Sequence, residues 1–122
     1  MKILLDTNFV LVPAQFKVDI YRELEGNQLL ILEECARELL KLLKKKGAVR
    51  KQAVIALALI KTKAIKVVKS EGKAGPVDRL ILDYALSARC AVATNDIGLI
   101  KALKKHSIKV IRLRQKKVII EE

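Results

Sequence analysis

The sequence has no tryptophan, one histidine, two cysteines and four aromatic residues in all. Cys35 and Cys90 lie far apart with no CxxC spacing, and His106 is the lone imidazole, which excludes a zinc knuckle and a disulfide scaffold. Four aromatics (Phe9, Phe16, Tyr21 and Tyr84) are too few for a platform on which successive bases stack. Long apolar runs are also missing. The longest, Ala53 to Ile60, has eight residues, far short of the ~20 that cross a bilayer. Asp6 cuts off Met1–Leu5 before a signal-peptide core can form. These absences lead us to expect a cytoplasmic protein with no membrane partner, and 122 residues suit a single domain over 1–122.

Acids are scarce too. Asp and Glu total 13 against 25 Lys and Arg, a net charge of +12, and 18 of the cations are lysines. So large a surplus on so small a chain favours a polyanionic partner, because each phosphate neutralised releases condensed counterions. The competing explanation is a Lys-rich surface of the kind found in heat-adapted proteins. With so few aromatics, binding is expected to run through phosphates, which position a nucleic acid without reading its sequence.

Short apolar runs alternate with helical periodicity. Strands are expected at Lys2–Leu5, Leu29–Leu32, Ile65–Val68, Ala91–Ala93 and Lys109–Leu113, with Val118–Ile120 as a short terminal addition. Helices are expected over 15–25, 34–46, 49–63, 77–89 and 97–105. Wholly apolar strands separated by helices imply a parallel sheet covered on both faces. The expected fold is therefore α/β, a three-layer α/β/α sandwich with a central parallel sheet of about five strands.

The five aspartates are not scattered. Asp6 follows the first strand, Asp96 follows the fourth, and Asp78 opens the helix after a loop containing Gly72, Gly75 and Pro76. In a parallel sheet all three fall outside the carboxyl ends of the strands, where open α/β sheets bind ligands. If the second and fourth strands flank the first, the switch point lies between Asp6 and Asp96. Each acid has an ordinary alternative, as a helix cap or a turn former. Together they would repel one another unless a cation sat between them. Hard divalent ions such as Mg²⁺ or Mn²⁺ suit carboxylate oxygens, and the lack of a His/Cys cluster disfavours zinc. Glu33, Glu34 and Glu38 compete for a fourth place. Glu38 is preferred because it borders the apolar stripe Cys35, Ala36, Leu39, Leu40, Leu42 and Leu43, whereas Glu33 and Glu34 sit in the first turn, where acids suit the helix dipole anyway. Asp83 lies on another helix face and reads as a surface or supporting group.

Leu4-Leu-Asp-Thr-Asn-Phe9, Ala36-Arg-Glu-Leu-Leu40, Pro76-Val-Asp-Arg-Leu80 and Val92-Ala-Thr-Asn-Asp96 together resemble the PIN domain family of ribonucleases, in the family's order and over nearly the whole chain. Asp-Thr-Asn-Phe followed by Lys17-Val-Asp-Ile20 is most similar to the PIN domains of eukaryotic ribosomal small-subunit processing factors and their archaeal relatives. The resemblance implies that Asp6, Glu38, Asp78 and Asp96 are the catalytic, metal-binding residues, holding one or two Mg²⁺ or Mn²⁺ ions, with Asn8 and Thr94 supporting them through hydrogen bonds. Many relatives carry further acids where this chain has Arg79 and Gly98. The chemistry expected of such a site is in-line attack of a metal-activated water on an RNA phosphodiester, leaving 5′-phosphate and 3′-hydroxyl ends. Lys101, Lys104 and Lys105, nearest in sequence to Asp96, are the expected RNA-binding cations, and His106 is expected at the surface.

Two classes of function stay open at this point. One is a metal-dependent endoribonuclease in rRNA or other RNA processing, or as a toxin. The other is a catalytically weak RNA-binding ribosome-assembly factor. A homodimer, an antitoxin and a ribosome-assembly protein are the protein partners these readings allow. A phosphatase of the kind that needs a second aspartate two residues after its nucleophile fits poorly, because Asn8 stands there.

Overall fold

The computed structural model describes residues 1–70 and 75–121; Gly72 of the expected loop lies outside them. Strand β1 (Lys2–Leu5) is followed by three short helices, α1 (Thr7–Val10), α2 (Val12–Phe16) and α3 (Ile20–Glu23). The chain continues with β2 (Gln28–Leu32), α4 (Glu33–Leu42), α5 (Ala48–Thr62), β3 (Lys66–Val68), α6 (Val77–Ala88) and β4 (Ala91–Ala93). It closes with α7 (Ile97–Lys105), β5 (Val110–Arg114) and β6 (Lys117–Glu121).

The sheet runs β3-β2-β1-β4-β5-β6. The first five strands are parallel, so β1 and β4 are neighbours and the switch point falls between them, as the aspartate positions require. Ile3, Leu4, Leu5, Ile31, Leu32, Val92 and Ala93 are all essentially inaccessible. Such strands are stable only with helices on both faces, which is the α/β/α sandwich expected. None of the described helices is long and apolar enough to cross a membrane.

Three differences from the sequence reading have physical causes. In place of the single helix expected over 15–25, the crossover carries three short helices over 7–23, of which only the end of α2 and the whole of α3 fall within the expected span. Lys17 ends α2 in the left-handed region (φ 55°), and the Asp19 side chain restarts the chain by accepting the Arg22 N–H at 3.1 Å. The sheet has six strands, because β6 returns antiparallel to β5 through a two-residue turn, Arg114 pairing with Lys117. Gln115 and Lys116 at that turn both have positive φ, 50° and 61°. Only this sense of turn matches the twist of a tight hairpin, and without glycine it costs about 1–2 kcal/mol per residue. Finally, α4 is shorter than 34–46, and its apolar stripe is narrower. Cys35 and Leu39 are buried, whereas Leu40 is about half exposed (52%).

Candidate active site

Parallel pairing carries the chain past the strand ends in register. The Asp6 N–H donates to the carbonyl of Ala93 at 3.0 Å, and the Thr94 N–H donates to that of Ile111 at 2.9 Å. These bonds set Asp6 beside Thr94 just outside the sheet. There the Thr94 hydroxyl, fully buried, donates to Asp6 Oδ2 at 2.9 Å and accepts the Asp96 N–H at 3.1 Å. One hydroxyl thus joins the carboxylate after β1 to the backbone of the acid after β4.

Asp6 is 8% exposed. Burial pushes its carboxyl above the ordinary aspartate range; hydrogen bonds from Thr94 and the Thr7 backbone pull it down, and the charges of Asp78 and Glu38 push it up again. Asp78 is also raised, by burial and then by Asp96. Four segments far apart in sequence therefore bring Asp6, Glu38, Asp78 and Asp96 into one electrostatic neighbourhood. Among the described residues none of the four forms an ion pair, although cations outnumber acids two to one in the chain.

The ordinary alternatives now separate. Asp96 does cap α7, its Oδ1 accepting the Leu99 N–H at 2.8 Å. Asp78 is not a cap: Pro76 holds that position and Asp78 stands exposed in the first turn of α6. Asp6 stands at the N-cap position of α1, where its backbone carbonyl accepts the Phe9 and Val10 N–H groups but its carboxylate makes no side-chain cap bond. On α4, Glu33 is taken up by Arg37 at 2.6 Å, and Glu34 accepts the Ser70 hydroxyl, a link from α4 to the segment after β3. Glu38 is half-buried and close enough to act on both Asp6 and the buried Cys35 thiol, whose pKa burial drives up to about 11.

Oxygen donors alone, one of them buried among like charges, match a hard divalent cation. Among the described residues no three Asp, Glu, His or Cys side chains close on a single point as they stand. Asp78 and Asp96 are exposed, and the Asp96 carboxylate is held at the start of α7 by its bond from Leu99. Arg79 and Gly98, the two departures from the family pattern, line a cleft with Asp78 between α6 and α7. Arg79 is paired with Asp83 at 3.2 Å. A Cβ at Gly98 would come within 3.3 Å of Asp96 Oδ1, so a side chain there would press on Asp96.

Among the described residues, Thr94 is bonded to the cluster, whereas Asn8 is exposed on α1 and makes no such bond. The three expected RNA-binding lysines, Lys101, Lys104 and Lys105, are all exposed along α7. Helix α7 starts at Asp96 and runs away from the sheet edge, placing Lys104 and Lys105 on the order of 12 Å along its axis at ~1.5 Å per residue. Lys104 is moreover paired with Glu121 at 2.6 Å. Lys101 is exposed halfway along. His106 is exposed, as expected, with Nδ1 3.0 Å from the Ala102 carbonyl. The sequence reading did not anticipate the Glu34–Ser70 link or Asn95, whose Oδ1 accepts the Leu113 N–H at 2.7 Å and ties the loop holding Asp96 to β5. The polar triplet Thr94-Asn95-Asp96 after a buried strand was the only sign of the second.

A family model described as a PIN like domain matches residues 3–116. No curated protein matches the chain. Among solved structures, the PIN domain endonuclease Utp24 is similar at 25% identity with a TM-score of 0.81, over 98% of this chain and 90% of that one. A domain of a functionally unknown protein from Methanocaldococcus jannaschii is similar at 20% identity and a TM-score of 0.71, over 99% and 96%. VapBC2 from Rickettsia felis, bound to a DNA fragment from its promoter, is similar at 17% and 0.70, over 93% and 100%. The last two likenesses speak for the fold alone.

Proposed function

Because this chain belongs to the PIN-like domain family, we propose that it is a divalent-metal-dependent endoribonuclease acting in RNA processing, with Asp6, Glu38, Asp78 and Asp96 as its catalytic residues. The observation that carries the proposal is the buried Asp6 carboxylate, hydrogen-bonded by Thr94 and acted on by the charges of Asp78 and Glu38, on a strongly basic chain. A bound cation would relieve such mutual repulsion. The four carboxylates would hold Mg²⁺ or Mn²⁺. When bound, the ion supplies Lewis acidity toward a water and toward the phosphate oxygens.

The protein's own part is placement. Thr94 fixes the Asp6 oxygen and the Asp96 backbone together, so the two strands that flank the switch point present their acids as a unit. Glu38 and Asp78 arrive from helices on either side, and the only histidine lies too far along α7 to act as a base. RNA is the partner this reading requires. The similarity to the PIN domain endonuclease Utp24 supports the endonuclease part of this reading.

Asp96→Asn tests the reading, since Asn caps a helix as well as Asp does and leaves α7 intact. The variant is expected to lose Mn²⁺- or Mg²⁺-dependent cleavage of a loop-containing RNA while retaining its affinity for that RNA. Wild type that binds RNA yet never cuts it with either ion would replace this reading with the assembly-factor one.

A further inference from the structure

Strand β5 is parallel to β4 and β1, so its carboxyl end, and the turn to β6, lie at the same sheet edge as the acids. Leu5 is level with Ala93, and Ala93 with Ile111. Arg114 therefore stands two strands aside from Asp6 and two residues beyond it. At ~4.8 Å between strands and ~3.3 Å per residue, that is on the order of 12 Å. Three cations ring the turn: Arg114, Lys116 and Lys117, all exposed. Glu121 lies at the opposite end of β6, where it pairs with Lys104 and Arg112 at 2.6 and 3.7 Å and attracts Arg114 only from beyond ion-pair distance. None of the turn's three cations forms an ion pair among the described residues. Asn95 ties the root of this turn to the loop that holds Asp96.

We propose that the β5–β6 turn is the substrate clamp of the site, with Arg114, Lys116 and Lys117 gripping the phosphate backbone of a single RNA strand whose scissile phosphate lies at the acids. The proposal rests on the endoribonuclease reading above. A separation of about 12 Å corresponds to three or four stacked nucleotides at ~3.4 Å each, so one short segment reaches both places. A site of four carboxylates repels the substrate, and cations at a fixed distance offset that repulsion without neutralising the cluster itself. The turn's conformation supports a use beyond folding. Both central residues are in the left-handed region, where Asn-Gly would be relaxed, yet the positions hold Gln115 and Lys116. Phosphate contacts carry no sequence information, so the clamp sets position and the base sequence at the tip is immaterial.

The test uses the full chain in EDTA and a short, unstructured, fluorescent RNA, with affinity measured across a salt series. For Arg114→Ala/Lys116→Gly/Lys117→Ala, the slope of log K against log salt is expected to fall by about 2, at ~0.7 for each of three contacts. Cleavage with Mn²⁺ should show a raised KM and an unchanged kcat. Lys116→Gly alone relieves the turn's strain, so it should keep or raise Tm while still lowering the slope; a merely structural turn would show the first effect without the second. Arg114→Lys should restore the slope that Arg114→Ala loses. Lys61→Ala/Lys63→Ala removes charge at the end of α5, next to the amino ends of the strands, and should leave the slope unchanged. A triple variant that binds and cleaves like wild type overturns the clamp and leaves the endoribonuclease reading standing. Wild type that neither binds nor cleaves RNA overturns both.

Discussion

Thr94→Val offers a sharp perturbation of the site, because valine keeps the shape of threonine and replaces one hydroxyl by a methyl. That hydroxyl makes two bonds, to Asp6 Oδ2 at 2.9 Å and from the Asp96 N–H at 3.1 Å, in a position with no solvent access. A hydrogen bond to an ionised partner contributes about 1.5–3 kcal/mol and an ordinary one about 0.5–1.5 kcal/mol. The added methyl offsets ~0.8 kcal/mol. The net loss at neutral pH and without metal is therefore about 1–4 kcal/mol. At ~4 °C per kcal/mol for a domain of this size, Tm should fall by roughly 5–15 °C. Thr94→Ser keeps the hydroxyl and loses only the methyl, at about 1 kcal/mol.

The pH dependence separates the charged bond from packing. Asp6 has a raised carboxyl in the folded state, mainly through burial, and the Thr94 bond restrains that rise by favouring the anion. An acid raised on folding binds its proton more readily in the native state. Metal-free stability must then decline as pH climbs from the ordinary aspartate range through the raised value. Thr94→Val removes the restraint, so its decline should be steeper and extend to higher pH. Its deficit against wild type should be full above the raised pKa and shrink as acid neutralises Asp6. Urea unfolding in EDTA from pH 4 to 8 measures both. A deficit independent of pH, or Thr94→Ser costing as much as Thr94→Val, would refute the claim that the bond to ionised Asp6 matters.

Two further outcomes follow from the same cluster. Asp6→Asn should melt above wild type in EDTA, since it removes a buried charge among like charges, and Mn²⁺ should raise Tm of wild type but not of the variant; identical melting curves with and without the ion would contradict this. Glu38→Gln should abolish metal-dependent cleavage with little loss of stability. Glu34→Gln should weaken the tie to Ser70 at a cost of ~1 kcal/mol and leave turnover nearly intact, which paired cleavage and unfolding assays would show.

What the sequence discloses depends on how local the cause is. Strands β1, β2 and β4 are legible because they are apolar on both faces, a pattern with one stable use at that length. The first crossover is not, because its helices are set by a left-handed Lys17 and an Asp19 cap that interrupt an otherwise continuous helical period. Tertiary pairing decides β6 in the same way: Val118–Ile120 has strand character on its own, but its length and direction come from β5 opposite.

The site divides along the same line. The acids are legible because each follows an element whose direction the parallel topology dictates, so chain order alone puts them at one edge. For the cations, proximity along the chain is a weaker guide to proximity in space. Lys104 and Lys105 follow Asp96 closely in sequence, but a helix converts nine residues into distance, and it delivers Lys104 to Glu121 instead. Arg114 lies eighteen residues after Asp96, yet β5 brings the chain back to the starting edge. In a doubly wound sheet each helix carries the chain away from the carboxyl edge and each strand returns it. Residues that cooperate with a carboxylate after one strand are therefore to be sought after the next strand as well, at the position of Arg114, and not along the intervening helix alone.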